Sequence, residues 1–262
     1  MRLAPGKLKS IKNPYIRLLY PVSGESARQE LQWLQSELPP HKSLAKACWL
    51  RGHHYPLQYL LGSQPFGDLS ILCRPKVLIP RWETEEWVMQ LRNHVYKGLK
   101  GLDLCTGTGC ITFALEKAGA QVLAVDISPD AQRLFLANKR QLNSHAEFRL
   151  WDIFNPIDSH FDLLVANPPY VTVPSDLDMS VRLFEPSLAL MGDKPILDAC
   201  VEQCISVKAR AAVIEIGSQA QIDYLTRQFR KGGYAAKGRL DGAGKPRTVW
   251  AYKGDRFLDA II

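Results

Sequence analysis

Apolar residues near the start of the chain recur at helical spacing. Leu31 and Leu34 lie three positions apart, and the Pro39-Pro40 pair then ends the run. Spacings of three or four residues place apolar side chains on one face of a helix, which a proline pair terminates. A second short helix is predicted to begin near Ser43. We therefore predict a small helical region over residues 1–55.

Between residues 56 and 80 the pattern becomes strand-like. Leu69 and Ile71 alternate with polar positions, and the Phe66-Gly67-Asp68 tripeptide before them is typical of a tight turn. Short apolar runs on both sides of such a turn predict a β-hairpin. This segment is therefore expected to be a hairpin connector.

From residue 81 onward, short apolar runs alternate with helical segments. This alternation is typical of a mostly parallel sheet with helices on both faces. The fold class is therefore α/β, with one large domain over residues 81–262. Strands are predicted near residues 101–105, 121–126, 146–150, 161–166 and 211–216, with two more near 235–239 and 248–252 closing one edge.

Composition limits the possible classes of protein. The chain has 262 residues and is 46% hydrophobic, which is enough to bury a sizeable core. Its net charge of +7 favours acidic partners such as nucleic acid or a ribosome-associated factor, although an ordinary solvated surface fits equally well. No apolar run approaches the roughly 18 residues of a membrane span, so no membrane partner is expected.

None of the six cysteines belongs to a CxxC pair. The spacing of a zinc knuckle is absent, and we expect reduced, mostly buried thiols. Cys200 and Cys204 are placed to share one helix face, but no histidine lies near them in the sequence. No metal is therefore expected.

The first 24 residues contain five basic residues and no acidic residue. A basic, acid-free start is typical of a mitochondrial presequence. Pro5, Pro14 and Pro21 interrupt any long amphipathic helix there, and a frayed basic terminus is the alternative. We expect a mitochondrial protein, with a cytoplasmic one as the alternative.

A glycine-rich turn from Asp103 to Gly109 follows one predicted strand and opens a helix. Glycines allow a tight turn and close approach of a ligand, and amides at a helix start favour an anionic group. Asp126 ends the next strand, where a carboxylate accepts hydrogen bonds from both hydroxyls of a ribose. Asp152, after the third strand, is placed to reach an adenine amino group. A dinucleotide and S-adenosylmethionine both fit this arrangement, and a tight turn without a ligand is the structural alternative.

The fourth predicted strand runs directly into Asn167-Pro168-Pro169-Tyr170. Two prolines stiffen this loop, and a residue before a proline is held extended. The Asn167 side-chain oxygen and the Pro168 carbonyl are acceptors for the two hydrogens of an NH2 group, and the Tyr170 ring offers a stacking face. A hydride-transfer enzyme has no use for these groups. They favour a methyltransferase that acts on planar NH2 groups over a dinucleotide-dependent enzyme.

These motifs together resemble the HemK/PrmC family of protein-glutamine methyltransferases. The resemblance covers about residues 55–252, and the motifs come in the family's order. They are Tyr59-Leu60-Leu61-Gly62, Phe66-Gly67, Leu78 to Glu85, Asp103 to Gly109, Asn167 to Val171, Glu185 to Leu190, and Asp241 with Gly244 and Arg247.

The resemblance implies a seven-stranded, Rossmann-like class I methyltransferase domain behind a small helical substrate-recognition domain and a β-hairpin. It implies S-adenosylmethionine as cofactor. The implied substrate is the glutamine of a Gly-Gly-Gln motif in a peptide chain release factor, here of the mitochondrial branch. The glutamine would be held by Asn167, Pro168, Pro169 and Tyr170. The cofactor site would comprise Cys105, Thr106, Gly107, Thr108, Gly109, Asp126, Asp152, Ile153 and Asn167.

Three positions depart from the family pattern. Trp82 replaces the proline expected after Ile79-Pro80-Arg81, and Cys105 replaces a glycine of many members. Ile153 replaces an aromatic residue that some bacterial members have near the adenine. These departures bear on cofactor affinity and leave the chemistry intact.

The expected mechanism is direct in-line methyl transfer to an amide nitrogen that two hydrogen bonds hold in place. The main alternative is a DNA or RNA methyltransferase acting on an exocyclic base amine, with Tyr170 stacked on a flipped base. Neither a basic stripe interleaved with aromatic residues nor an inserted recognition domain supports it, so nucleic acid is not a required partner. A non-catalytic binding module that keeps the fold is the other alternative. A monomer is expected.

Overall fold

Four short helices pack around one apolar core at the N-terminal end of the molecule. The computed structural model describes residues 11–254, except for the side chain of residue 176. The buried core of the helical region contains Leu19, Leu31, Leu34, Cys48 and Leu60. Its helices are α1 (Pro14–Ser23), α2 (Ala27–Glu37), α3 (Leu44–Gly52) and α4 (Leu57–Leu61).

The sequence analysis did not predict α1 or α4. Helix α1 tolerates Pro14 because it occupies the first turn, where a missing N–H leaves no bond unmade. Pro21 lies inside the helix, in its last turn, and removes one helical N–H donor there. The Asn13 side chain caps this helix by accepting from the Tyr15 and Ile16 amides at 2.9 and 3.3 Å. Residues 1–10 of the predicted presequence lie outside the described residues.

A β-hairpin follows the helical region, as predicted, although α4 occupies the first part of the segment expected to be strand-like. Strands β1 (Ser63–Phe66) and β2 (Leu69–Leu72) are antiparallel, with Phe66 opposite Leu69. Asn138 attaches the hairpin to the large domain, because its side chain accepts from the Leu72 amide at 2.7 Å and donates to the Leu72 carbonyl at 3.3 Å. The same amide group donates to the Thr108 carbonyl at 3.0 Å.

Seven strands form one sheet in the order β5-β4-β3-β6-β7-β9-β8. Strand β9 is antiparallel to both of its neighbours, and the other pairs are parallel. The predicted α/β class and the seven-stranded, mostly parallel sheet are confirmed. The strands are β3 (Lys100–Leu104), β4 (Gln121–Asp126), β5 (Glu147–Leu150), β6 (Leu163–Ala166), β7 (Ala211–Glu215), β8 (Ala235–Leu240) and β9 (Pro246–Tyr252).

Helices cover both faces of this sheet, so the central strands are mostly apolar. Every residue of β6 and β7 is buried, as expected for parallel strands covered on both sides. The helices are α5 (Trp82–Arg92), α6 (Cys110–Lys117), α7 (Pro129–Gln141), α8 (Met179–Phe184), α9 (Ser187–Leu190), α10 (Lys194–Ser206) and α11 (Gln219–Lys231). Within the described part of the chain, no helix is both long enough and apolar enough to traverse a bilayer.

The strand order creates a crevice at one edge of the sheet. The chain winds outward from β3 through β4 to β5 and then returns to place β6 on the other side of β3. In open α/β sheets, ligands bind outside the carboxyl ends of the strands at the point where the order reverses. This topology places the glycine-rich turn after β3 beside the Asn167 loop after β6.

Candidate active site

A cavity of about 200 Å³ lies at the carboxyl ends of the strands around this crevice. It brings together most of the site residues predicted from the sequence, while Gly109, Pro168 and Tyr170 do not belong to its lining. The predicted residues that line it are Cys105, Thr106, Gly107, Thr108, Asp126, Asp152, Ile153, Asn167 and Pro169.

The glycine turn owes its shape to two backbone conformations that favour glycine. Gly107 and Gly109 have φ angles of 56° and 86°, in the left-handed region. A Cβ on Gly109 would lie 2.4 Å from Phe113 Cε2 and 2.6 Å from Phe135 Cδ2, so the core beneath the turn has no room for it. On Gly107 the Cβ would meet only Val77, at 3.8 Å, which leaves the cavity side open to a ligand.

Cys105 adopts the same backbone region without being a glycine. Its φ angle is 57°, which a residue with a Cβ reaches only at a cost of about 1–2 kcal/mol. The departure noted in the sequence therefore has a physical meaning, because the turn itself requires the conformation that a glycine supplies without strain. Burial raises the pKa of the Cys105 thiol well above its usual range, so the side chain is a neutral part of the cavity wall.

Beneath the turn lies a fully buried carboxyl group, Asp103. Its Oδ2 accepts from the hydroxyls of Thr106 at 2.6 Å and Thr112 at 2.7 Å. Among the described residues, its Oδ1 has no hydrogen-bond partner. Burial raises the pKa of Asp103 to about 7, because desolvation penalises the charged form more than the two hydroxyls stabilise it.

Asp126, at the end of β4, is already engaged by the backbone. Its Oδ2 accepts from the Gly107 amide at 2.8 Å and its Oδ1 from the Ser128 amide at 2.9 Å. Burial raises its pKa, and these backbone bonds oppose that shift. Each carboxylate oxygen has a second lone pair, so Asp126 braces the turn and retains acceptor capacity towards the cavity that it lines.

The wall after β5 is apolar, and an aromatic residue lies one position beyond the site predicted for it. Asp152 accepts from the Phe154 amide at 3.0 Å, and Ile153, Trp151 and Phe154 all line the cavity. Phe154 is 59% exposed. The loop therefore provides aromatic surface beside Ile153, although the sequence pattern assigned the aromatic position to Ile153 itself.

The opposite wall is held by a buried glutamate from the Glu185 to Leu190 motif. Glu185 accepts from the Ile79 amide at 3.0 Å and from Arg81 Nη2 at 2.7 Å. This ties the segment before α5 to the chain that comes after the Asn167 motif. Trp82 then begins α5 with 56% of its surface exposed.

The Asn167–Tyr170 loop is fixed by contacts that sequence reasoning missed. The Asn167 Nδ2 atom donates to Thr84 Oγ1 at 3.0 Å, and the Tyr170 hydroxyl donates to Glu215 Oε1 at 3.0 Å. Thr84 and Trp87 on α5 both donate to Glu215 Oε2, at 2.7 and 2.8 Å. A signal was present in the sequence, because Glu215 is the one charged residue in the otherwise apolar β7 and lies at its carboxyl end.

Comparison with known proteins identifies the family. The family model "Methyltransferase small domain" matches residues 84–193. The mitochondrial MRF1 N(5)-glutamine methyltransferase MTQ1 of Saccharomyces cerevisiae is 37% identical over 92% of this chain and 84% of that protein. The chain belongs to the HemK/PrmC family. As a HemK/PrmC member it is a protein-glutamine methyltransferase that uses S-adenosylmethionine.

A bacterial relative agrees with this assignment, and two solved structures share the fold. The release factor glutamine methyltransferase of Koribacter versatilis is 38% identical over 60% of this HemK/PrmC chain and 58% of that protein. A ribosomal protein L11 methylase from Lactobacillus delbrueckii subsp. bulgaricus has a TM-score of 0.53 at 19% identity, covering 73% of this chain and 90% of that one. A methyltransferase from Pyrococcus furiosus has a TM-score of 0.56 at 15% identity, covering 72% and 91%. These two structures show the fold alone.

The residues present fit the cofactor of the family. The turn at Gly107 is open on its cavity side, Asp126 retains acceptor capacity, and the loop after β5 supplies an apolar wall. An adenosyl group requires all three features, because it combines a ribose diol with a flat, largely apolar base.

Proposed function

We propose that this protein methylates the side-chain amide of the glutamine in the Gly-Gly-Gln motif of a mitochondrial translational release factor. The names of two relatives support the substrate. Mitochondrial MRF1 glutamine methyltransferases from Saccharomyces cerevisiae and Schizosaccharomyces pombe are 37% and 35% identical over 92% and 88% of this chain. Several bacterial relatives are named release factor glutamine methyltransferases.

The observation that carries the proposal is the orientation of the Asn167 amide beside the cavity. Its Nδ2 is committed to Thr84, which leaves Oδ1 as an acceptor. Asn167 Oδ1 and the Pro168 carbonyl would receive the two N–H groups of the substrate amide, and the Tyr170 ring would lie beside its plane. The Gly107 turn and Asp126 would hold S-adenosylmethionine, which would supply an electrophilic methyl group.

This chain contributes orientation and exclusion of water. An amide nitrogen is a weak nucleophile because its lone pair is delocalised, so fixing its direction towards the methyl donor removes a large part of the barrier. The apolar walls from Val77 to Ile79 and around Ile153 keep the site dry, which favours a step in which the positive charge of the donor disappears. No side-chain nucleophile takes part in the step.

The mitochondrial assignment also rests on the basic, acid-free start of the chain. We propose a monomer with a helical region over residues 1–55 that contacts the release factor, a connector over residues 56–80 and a catalytic domain over residues 81–262. Nucleic acid is not required for the reaction. A fusion of the first 30 residues to a reporter is expected to enter mitochondria, and a reporter left in the cytosol would contradict the assignment.

The decisive experiment traces labelled methyl groups from S-adenosylmethionine. The acceptors are a release factor carrying Gly-Gly-Gln, the same factor with that glutamine replaced, and duplex DNA. Label is expected on the intact factor alone. Label on DNA would instead support methylation of a base amine, and cofactor binding without label on any acceptor would support a non-catalytic module.

A further inference from the structure

Glu215 is a buried carboxylate that holds three groups from two distant parts of the chain. It has no exposed surface and lies at the carboxyl end of β7. Its Oε2 receives hydrogen bonds from Thr84 and Trp87, and its Oε1 receives one from Tyr170. Thr84 and Trp87 are themselves 2% and 3% exposed, so water does not compete for these bonds.

The bond directions follow from an ionised Glu215: burial raises the pKa of this carboxyl group, and the hydrogen bonds from Thr84, Trp87 and Tyr170 oppose that rise. An indole N–H only donates, so Glu215 Oε2 must accept. The hydroxyl of Thr84 has one hydrogen, and at 2.7 Å that hydrogen goes to Oε2. The Thr84 oxygen is then left with lone pairs alone towards Asn167 and accepts a hydrogen from Nδ2 at 3.0 Å.

An inverted Asn167 amide would lose this bond. With Oδ1 towards Thr84, two oxygen atoms would face each other with no hydrogen between them. Nδ2 would then face the cavity, where the incoming NH2 group of a glutamine also presents hydrogens. The N–H groups of Asn167 would face the N–H groups of the substrate, and no acceptor would orient the substrate nitrogen.

We infer that Glu215 and Thr84 are positioning residues: through a hydrogen-bond relay they select the end of the Asn167 amide that receives the substrate amide. This role rests on the proposed function, in which Asn167 accepts from the substrate. Through its other oxygen, Glu215 also anchors the Tyr170 hydroxyl, so a single carboxylate orients both side-chain ends of the Asn167–Tyr170 loop.

The relay is tested first with Thr84→Val, which keeps the shape of the side chain and removes its hydroxyl. We expect the kcat for methylation of the release factor to fall about 10- to 100-fold, the size of effect that misplacement of a reacting group produces. The KM for the factor and the affinity for S-adenosylmethionine should change little. Thr84→Ser retains the hydroxyl and should recover most of the lost kcat.

A matched control separates the relay from general loss of a buried hydrogen bond. Tyr234→Phe removes a buried hydroxyl that donates to the Ala209 carbonyl at 2.7 Å, far from the cavity. It should destabilise the protein in thermal unfolding while leaving kcat unchanged. A Thr84→Val enzyme with wild-type kcat, or a Thr84→Ser enzyme as slow as Thr84→Val, would overturn the relay.

Glu215→Gln distinguishes the direction of the hydrogen bonds from the negative charge. Because Trp87 must donate, the new amide would turn its oxygen to Trp87 and Thr84 and its NH2 group to the Tyr170 oxygen. The relay to Asn167 would survive, so the kcat of Glu215→Gln should exceed that of Thr84→Val. An equal or larger loss, in a variant that still binds S-adenosylmethionine, would assign the effect to charge and contradict the relay.

A substrate-free measurement keeps this test separate from the test of function. In spectra of protein labelled on asparagine side chains, the Asn167 NH2 resonances should shift in Thr84→Val and return in Thr84→Ser. Resonances that are identical in all three proteins would overturn the relay even if the release factor is methylated. A wild-type enzyme that methylates no release factor would contradict the proposed function, whatever the spectra show.

Discussion

The glycine turn and the Asn167–Tyr170 loop face the same cavity and are held in place by different means. The turn is fixed by the left-handed backbone conformations of alternate residues, Cys105, Gly107 and Gly109, and by Asp126, which ties it to the neighbouring strand. The loop is fixed by side chains of α5 and β7 that meet at Glu215. The turn is therefore specified by residues close together in the sequence. The Asn167 amide is oriented only after distant parts of the chain have folded together.

The largest effect on stability is expected for Asp103, the buried carboxyl group beneath the glycine turn. Because burial raises its pKa from 3.8 to about 7, the folded protein keeps a proton that the unfolded chain releases above pH 4. The stability that Asp103 contributes should therefore be fully present below pH 4, fall as the pH rises to 7 and then level off, with a total on the order of 4 kcal/mol.

Comparison with Asp103→Asn isolates this contribution. The variant should lose the decline in free energy of unfolding that Asp103 causes between pH 4 and 7, as measured by urea denaturation at several pH values. If the difference in free energy of unfolding between wild type and variant stays constant over that range, Asp103 does not titrate there. The glycine turn would then depend on its backbone conformation and not on Asp103.

Asn167→Ala removes the amide that would accept from the substrate and leaves the glycine turn unchanged. We expect kcat to fall about 10²- to 10³-fold, because a hydrogen-bonding group at the reacting centre is lost. S-adenosylmethionine should bind with nearly unchanged affinity in calorimetry, since the turn remains intact. Cofactor affinity that falls in step with activity would show that the glycine turn and the Asn167–Tyr170 loop do not act independently.

Gly109→Ala is the corresponding change in the glycine turn. The new methyl group would overlap the rings of Phe113 and Phe135, and we expect a loss of about 3 kcal/mol in stability together with weaker cofactor binding. Gly98→Ala is the control, because its φ angle of 85° is similar and nothing lies within 4 Å of the added Cβ. The two variants should differ by the overlap alone, and equal losses would assign the whole effect to backbone strain.

The smallest expected effect comes from Cys105→Gly. Removing the strain of a left-handed cysteine should raise the free energy of unfolding by up to about 1 kcal/mol, after part of the gain is offset by the greater freedom of glycine in the unfolded chain. Cys105→Ala also removes the sulfur but keeps the strain, so it should show no gain in chemical denaturation. A stabilised alanine variant would locate the effect in the thiol instead.

Much of the fold was predictable because its signals are local. The seven strands and the hairpin turn follow from apolar runs bounded by turn residues. Helix α1 was missed because the prolines near its two ends suggested interruptions, and α4 was missed because five residues are too few to show a helical period.

The candidate site was predictable only where its residues have local signals in the sequence. Gly107, Asp126 and Asn167 lie at or directly after the ends of strands that meet at one edge of the sheet, so their convergence follows from topology. The contact of Glu215 with Thr84 and Trp87 joins positions 131 and 128 residues apart, and no local pattern encodes it. The catalytic roles of the Asn167–Tyr170 residues stay predictions until the variants are measured.

Asn138 has a consequence for how the hairpin moves. Its amide joins both backbone groups of Leu72 in the hairpin to the Thr108 carbonyl in the glycine turn. The hairpin is therefore no free hinge, because moving it away would break both bonds to Leu72 together. The end of the connector that follows the N-terminal helices is therefore held next to the glycine turn of the cavity.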